Sequence, residues 1–498
     1  MIPFAQYTPD QPDYENQGSA HINNVVPRTE ASYAPLSGLS SISGVVGTGV
    51  VRGAGSLRDN DGVVYNFASD EKDFFLLNTG TWSNVSASAG AYTVSSDYPV
   101  EFVGFGERCI AVLGLSDDMQ TYLMGTDSTF SQLNSDAPRA RVAAVIGDFV
   151  MVGNTFDATD GGVPNRVWWS AFNDPTDWPS IGSSDAASKQ SDYNDIATGN
   201  TVQAIVGAIG GTDGAVFLEK AIYRIVYEGP PTIFGFYEIE RDRGAHARNS
   251  VVNVGTVAFY LDESGFFAFD GTKSTPIGDR RVDKTFFANL NQTYIDRVYG
   301  SADSINKIVF WAYPSVNSTS GEPDTLIMYN WAIDRWSTAD VSMQYLTTGL
   351  TPGYTLEQLD GISSNLDLLP LSLDSRSWTG GERLLSAFDT DGDLARFSGD
   401  ILEAQLETTE ASGAEGTRIH ISGIRPYVDG GTVTTQIRSR DTPGGTPSDS
   451  AYEAVGTDGM SHFNISTRYG RARIKIAAGG TWTHAQGVDA KTRPDGDL

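Results

Sequence analysis

The sequence predicts an all-β fold: a β-propeller of six to eight blades, seven favoured, followed by a C-terminal β-sandwich-like domain. Three observations lead there. A chain of 498 residues exceeds one ordinary compact domain unless that domain is assembled from repeated units. Charged residues make up only 19% while glycine reaches 54 residues, a balance that suits strands joined by tight turns. Finally, a unit of alternating apolar strand, Gly/Asp/Asn turn and aromatic-rich strand recurs about every 40–50 residues, the period of four-stranded blades.

The repeats fall in order at 63–85, 100–133, 140–180, 202–229, 250–278 and 298–340, with a weaker seventh at 345–399. Such a blade cannot cover both of its faces alone, so neighbours must stack on it. Inner strands are therefore apolar on both faces, as in "AVFL" and "VAFYL", while outer strands alternate. The hairpin "LDESGFFAFDGT" places Gly265 and Gly271 where turns need positive φ. Residues 1–50 lack the repeat and form an N-terminal arm or a ring-closing segment. The propeller then spans 51–399. Residues 400–498 form a separate β-rich domain with alternating strands such as "RIHISGIRPYVDG" and "TVTTQIRSRDT", and the last dozen residues are expected to fray.

The segment "RVWWSAFNDPTDWPS" (166–180) concentrates three of the nine tryptophans. Strand alternation sends Val167 and Trp169 to one face and Trp168 and Ser170 to the other. Asn173-Asp174-Pro175 makes a turn that Asp174 caps, and Trp178 folds back onto the sheet. On this reading the tryptophans hold sheets together, and Trp168 and Trp169 are interface candidates wherever one of them stays exposed.

Acidic residues outnumber basic ones 62 to 34, a formal net charge of −28. So negative a surface repels nucleic-acid backbone, which argues against a protein that grips DNA and suits one that lets DNA pass. The single cysteine, Cys109, excludes an intrachain disulfide framework and reads as a small buried residue. No stretch matches a secretory signal or approaches the roughly 18 apolar residues of a membrane span. A local basic patch, "ERDRGAHARNS" (240–250), makes Arg241, Arg243 and Arg248 partner-contact candidates.

Motifs that carry chemistry are scarce. His21, His246, His420, His462 and His484 are scattered without metal-binding spacing, and neither a GxSxG elbow nor a phosphate-binding glycine loop occurs. In "FDTDGDLARF", Asp389, Asp391 and Asp393 alternate as calcium ligands do, but the twelfth position holds Asp400 rather than the bidentate glutamate, so a hairpin turn is the favoured reading. No catalytic residue, cofactor or metal is expected, and an enzyme is not the first reading.

A set of phrases, in order, is similar to one family: "NNVVPRTEASYAPLSGL", "RVWWSAFNDPTDWP", "AVFLEKAIYRIVYEG", "RGAHARNSVVNVGTVAFYLDESGFFAFDGTKSTPIGDRRVDKTFF", "KIVFWAYP" and "LIMYNWAIDRWS". Over residues 25 to 340 the chain resembles the packaged-DNA stabilisation or tail-nozzle β-propeller proteins of short-tailed phages. The resemblance implies a homo-hexameric ring in the virion tail, assembled in the host cytoplasm. The ring would sit below the head-to-tail adaptor, close the channel on packaged DNA, and attach tail fibres, spikes or a needle. It implies no membrane partner and no catalytic residue. Two other readings remain: a virion propeller that binds or degrades glycans, and a cellular scaffold propeller. The sialidase-type repeat that would favour the glycan reading is missing.

Overall fold

The computed structural model describes residues 1–12, 16–78, 80–178, 188–351, 365, 381–413 and 417–495. The chain is nearly all β, with a short helix at Asp283–Asn289. Six antiparallel sheets of four strands each form separately, and a seventh four-strand run, Tyr299–Asp303 to Arg335–Asp340, opens an 11-stranded sheet. The strands run in chain order in five of these sheets and in the four-strand run, whereas the sheet of Tyr345–Leu350 takes its fourth strand from earlier in the chain.

The first strands of these sheets begin at Ala54, Glu101, Arg139, Val202, Val252, Tyr299 and Tyr345. Each packs against the next in sequence, the step from Val202–Ile209 to Val252–Val254 running through the turn Arg248–Ser250, and Tyr345–Leu350 returns to Ala54–Arg58. The apolar clusters follow the same cycle. Phe67, Phe74 and Tyr122 join the first sheet to the second. Val142, Trp169 and Val216 join the third to the fourth. Val46, Ala68, Phe75 and Phe388 join the last to the first.

Residues Ser40–Val45 supply the outermost strand of that last sheet, pairing with Asp393–Arg396. A strand from before the first repeat thus completes the final one, a non-covalent clasp. Asp389, Asp391 and Asp393 lie in the turn leading into this strand pair. The Asp389 Oδ1 accepts hydrogen bonds from the Asp391 and Asp393 amides at 3.0 and 2.9 Å, and its Oδ2 accepts one from Ser41 Oγ at 3.1 Å.

Residues before Ser40 go elsewhere. Ile2–Pro3, Val25–Thr29 and Ser32–Pro35 join Ile419–Val428, Ser461–Thr467 and Ala485–Pro494 in a six-stranded sheet. Asn23 pairs with Thr338 on one side and Gln405 on the other, fusing the sixth sheet to the C-terminal strands. The expected fraying at the end of the chain is corrected here. Ala485–Pro494 lies between two strands, with Ala485 and Val488 fully buried; three positions apart, they share the inner face because the register shifts by one residue at Gln486.

The tryptophan segment divides as alternation dictates. Val167 and Trp169 enter the core between the third and fourth sheets, whereas Trp168 and Trp178 enter the one between the second and third. Asp174 Oδ1 accepts from the Thr176 amide and hydroxyl, capping the turn. Ser180 lies outside the described residues, as does most of the stretch from 352 to 380 within the seventh repeat.

Candidate functional site

Where the seven first strands converge they leave an axial cavity of about 310 Å³. Six of the seven four-strand units contribute to its lining, through Ala54, Glu101, Ala143, Ile205, Tyr299 and Tyr345 among others, and Arg248 enters from the turn before the fifth. Glu101 and Arg248 are the charged residues of this wall.

Arg248 is placed by backbone chemistry. Its 3₁₀ turn, Arg248–Ser250, is pinned from three sides. Trp311 Nε1 donates to the Ser250 carbonyl at 2.9 Å, Asn249 Nδ2 donates to the Asp296 carbonyl at 2.6 Å, and Ser250 Oγ donates to the Ala247 carbonyl at 2.6 Å. Gly300 lets the sixth sheet approach, since a Cβ there would meet Val252 Cγ2 at 2.4 Å and the Ser250 carbonyl at 2.9 Å. The side chain is then carried inward until only 4% is exposed.

Tyr98 lies between two guanidinium groups, that of Arg141 at 3.8 Å and that of Arg248 at 4.0 Å from its ring centroid. Arg248 Nη2 donates to Gln203 Oε1 at 3.4 Å, and Gln203 Nε2 donates onward to Glu219, which fixes the amide orientation. Yet Arg248 Nε and Nη1 are buried without a hydrogen-bond partner, as are Arg141 Nε, Arg52 Nε and Arg297 Nε. Arg52 reaches Glu71 at 3.7 Å and Arg297 reaches Asp97 at 3.8 Å. Burial pulls Arg248 below the usual arginine range, with Tyr98, Asp296 and Glu101 opposing that shift.

Glu101 faces the same cavity. Burial pushes its carboxyl up to about 7, against the pull of the Ala143 amide, which donates to Oε2 at 2.7 Å, and of Arg248. Asp296 is likewise raised by burial, with Arg248 opposing. The arrangement pairs hydrogen-bond donors held away from water with a carboxyl that titrates near neutrality.

The sequence-predicted residues distribute differently. Trp168 and Trp169 are both 2% exposed, so neither offers a surface to a neighbour; alternation buries them in two successive inter-sheet cores. Arg248 leaves the supposed surface patch for the axis. Arg241 does remain outside, its side chain 73% exposed and paired with Glu238 at 2.6 Å. Arg243 is half-buried, bridging to Glu240 at 3.3 Å and lying over Phe267. Exposed aromatics sit instead at Phe172 and Tyr227, which flank Phe149 at ring distances of 5.5 and 5.7 Å. Cys109 is fully buried. No cluster of metal-ligating side chains occurs among the described residues, and no helix there is long and apolar enough to cross a membrane.

Sequence reasoning missed Glu101, Tyr98 and Arg141. A signal for two of them was present: "VEFVGF" and "RARVAAVI" put Glu101, and Arg139 with Arg141, into largely apolar inner-strand runs, where an ionisable group needs a reason.

No family model and no curated protein sequence matches the chain. Among solved structures it is similar to apo AztD from Citrobacter koseri, at 10% identity and a TM-score of 0.31 over 58% of this chain and 86% of that one. It is also similar to a functionally unknown protein from Desulfotomaculum acetoxidans, at 12% identity and a TM-score of 0.33 over 62% and 95% of the two chains. Likenesses of this strength assign neither a family nor a function.

Proposed function

We propose that this chain is a seven-bladed β-propeller carrying a C-terminal β-sandwich, and that it is a structural subunit of a phage tail nozzle. What carries the nozzle reading is the ordered series of phrases between residues 25 and 340. The cycle of inter-sheet cores, returning from the last sheet to the first, supports the blade count. The net charge of −28 supports a passage role, since six such subunits around an exit channel would repel DNA rather than hold it. In this reading the ring sits below the adaptor, retains packaged DNA until ejection, and presents sites for fibres, spikes or a needle. Phe172 and Tyr227 take over the neighbour contact that Trp168 and Trp169 are too deep to make.

Electron microscopy of the purified chain mixed with portal–adaptor complexes tests this. A sixfold ring added to the adaptor end is the expected result, along with antibody labelling of the tail in intact particles. A monomer that ignores those complexes and binds or cleaves polysaccharide would overturn the nozzle and favour the glycan reading.

A further inference from the structure

Negative charge is unevenly shared along the chain. Residues 400–498 hold 10 of the 34 basic residues and 13 of the 62 acidic ones, which leaves −25 of the net −28 to residues 1–399. Basic side chains gather on the outer face of the six-stranded sheet. Ile419, Ile421 and Ile424 turn to the core there, and the register sets Arg425 opposite Asp489, Lys491 opposite Gly423 and Arg493 opposite His420. Arg425, Lys491 and Arg493 are exposed, and so is Tyr427 on the same face. Negative charge on this face is mostly engaged. Asp489 is shared by the Met1 amine at 2.7 Å and the Tyr427 hydroxyl at 2.6 Å, and Asp458 is held by His462 at 3.0 Å. Asp495, just past the strand, is the remaining acid at its end.

The complementary chemistry stands across the ring. The C-terminal strands join the sixth sheet through Asn23, and the third sheet is three steps from the sixth in a cycle of seven, as far as the cycle allows. There Phe172 and Tyr227 lie exposed on either side of Phe149. Asp148 adjoins them, its carbonyl accepting from the Asn173 amide at 2.9 Å. Asp192 closely follows Gln190, to which Tyr227 donates its hydroxyl at 2.6 Å, and Glu228 is next to Tyr227 in the chain. All three acids are exposed, whereas Lys189, between Phe172 and Asp192 in the chain, is held by Asp177 at 2.9 Å. Two chains of net charge −28 repel, so a contact that matches these two patches is favoured over other orientations. We propose that the basic outer face of the C-terminal sheet docks on the Phe172–Tyr227 patch of a second copy of this chain, Tyr427 against the aromatic centre and Lys491 and Arg493 against the acidic rim. Because the patches lie on opposite sides of one subunit, the contact runs head to tail, and successive copies close into a ring instead of stopping at a pair. This names the subunit contact of the ring proposed above and rests on that ring.

Sedimentation velocity of the full chain at about 0.15 M salt, where charges more than about 8 Å apart are largely screened, reads the assembly. The native chain should form closed rings. Lys491→Glu with Arg493→Glu sets acid against acid, and Asp148→Lys with Asp192→Lys sets base against base. Each double variant alone should associate about tenfold more weakly or worse. Mixed in equal amounts, the two should assemble again, alternating round the ring, because each supplies the charge that the other has lost. That rescue also shows that both variants are folded. A native chain that stays monomeric overturns the proposal, and so does a mixture that stays apart. Either variant assembling alone as well as the native chain overturns this contact and leaves the ring standing on another. Native rings that ignore portal–adaptor complexes would instead remove the nozzle and keep this contact.

Discussion

Glu407 and Arg471 meet between two paired C-terminal strands, carboxylate to guanidinium at 3.7 Å, both nearly inaccessible to solvent, where the N-terminal segment docks. Arg473 reaches the same carboxylate at 3.1 Å, and Ser19 donates its hydroxyl to it. Arg471 also donates to the Gly18 carbonyl at 2.6 Å. The N-terminal segment is thereby fastened to strands hundreds of residues away by charges that cannot be rehydrated cheaply.

Removing Glu407 should therefore destabilise strongly, because it leaves two buried guanidiniums behind. Glu407→Ala is expected to lower stability by about 3–5 kcal/mol, the usual cost of breaking one side of a buried pair. Urea unfolding measures it, and limited proteolysis should show earlier cutting within residues 1–35. An unchanged urea midpoint would mean that water already serves these arginines.

Glu101 gives a pH-dependent expectation. Its folded carboxyl titrates at about 7, above its ordinary value near 4.5, so the folded state holds a proton that the unfolded chain has released. Stability is thus unaffected by this group below about pH 4.5 and declines as pH rises toward 7, levelling off beyond it. The full difference is at most about 3 kcal/mol. Glu101→Gln should match the native chain near pH 4.5 and exceed it near pH 8 in chemical denaturation. Equal pH profiles for the two proteins would show that the carboxyl is solvated after all.

Trp168 and Trp169 separate two contributions that neighbouring tryptophans usually blur. Trp169 Nε1 donates to the Gln190 carbonyl at 3.0 Å, whereas Trp168 Nε1 is buried with no partner. Phenylalanine at either position removes similar volume, but only at 169 does it strand an acceptor. Trp169→Phe should cost about 1 kcal/mol more than Trp168→Phe. Thermal unfolding of the two variants side by side measures the difference, and the reverse order would contradict it.

What was legible in the sequence was local. Alternation and glycine turns foretold the hairpins, the opposite burial of Trp168 and Trp169, and the positive φ of Gly265 and Gly271. The pairing of Ile22–Asn23 between the sixth sheet and the C-terminal strands has no local signature: two residues carry no period, and their partners lie more than three hundred positions away. Arg248 misled for a related reason. Three arginines within eight residues look like one surface patch, yet the pinned turn at Arg248–Ser250 sends the third to the axis while Arg241 stays in solvent. The small buried neighbours Ala245 and Ala247 were the hint that the backbone dives there.

The aspartate loop closes the set because two chemistries predict opposite behaviour for it. As a calcium site, Asp389, Asp391 and Asp393 would turn their oxygens toward a shared ion. Instead Asp389 Oδ1 collects the Asp391 and Asp393 amides, and Oδ2 collects the Ser41 hydroxyl from the strand that completes the last sheet. An acceptor so committed stabilises the turn and the strand pairing without any ion. Asp389→Ala should lower stability by about 0.5–2 kcal/mol, the range for losing a side-chain cap. The loss should be the same in calcium and in chelator, because the lost bonds are to the protein's own amides and hydroxyl. A calcium-dependent rise in the native melting temperature that Asp389→Ala abolishes would restore the ion to this loop.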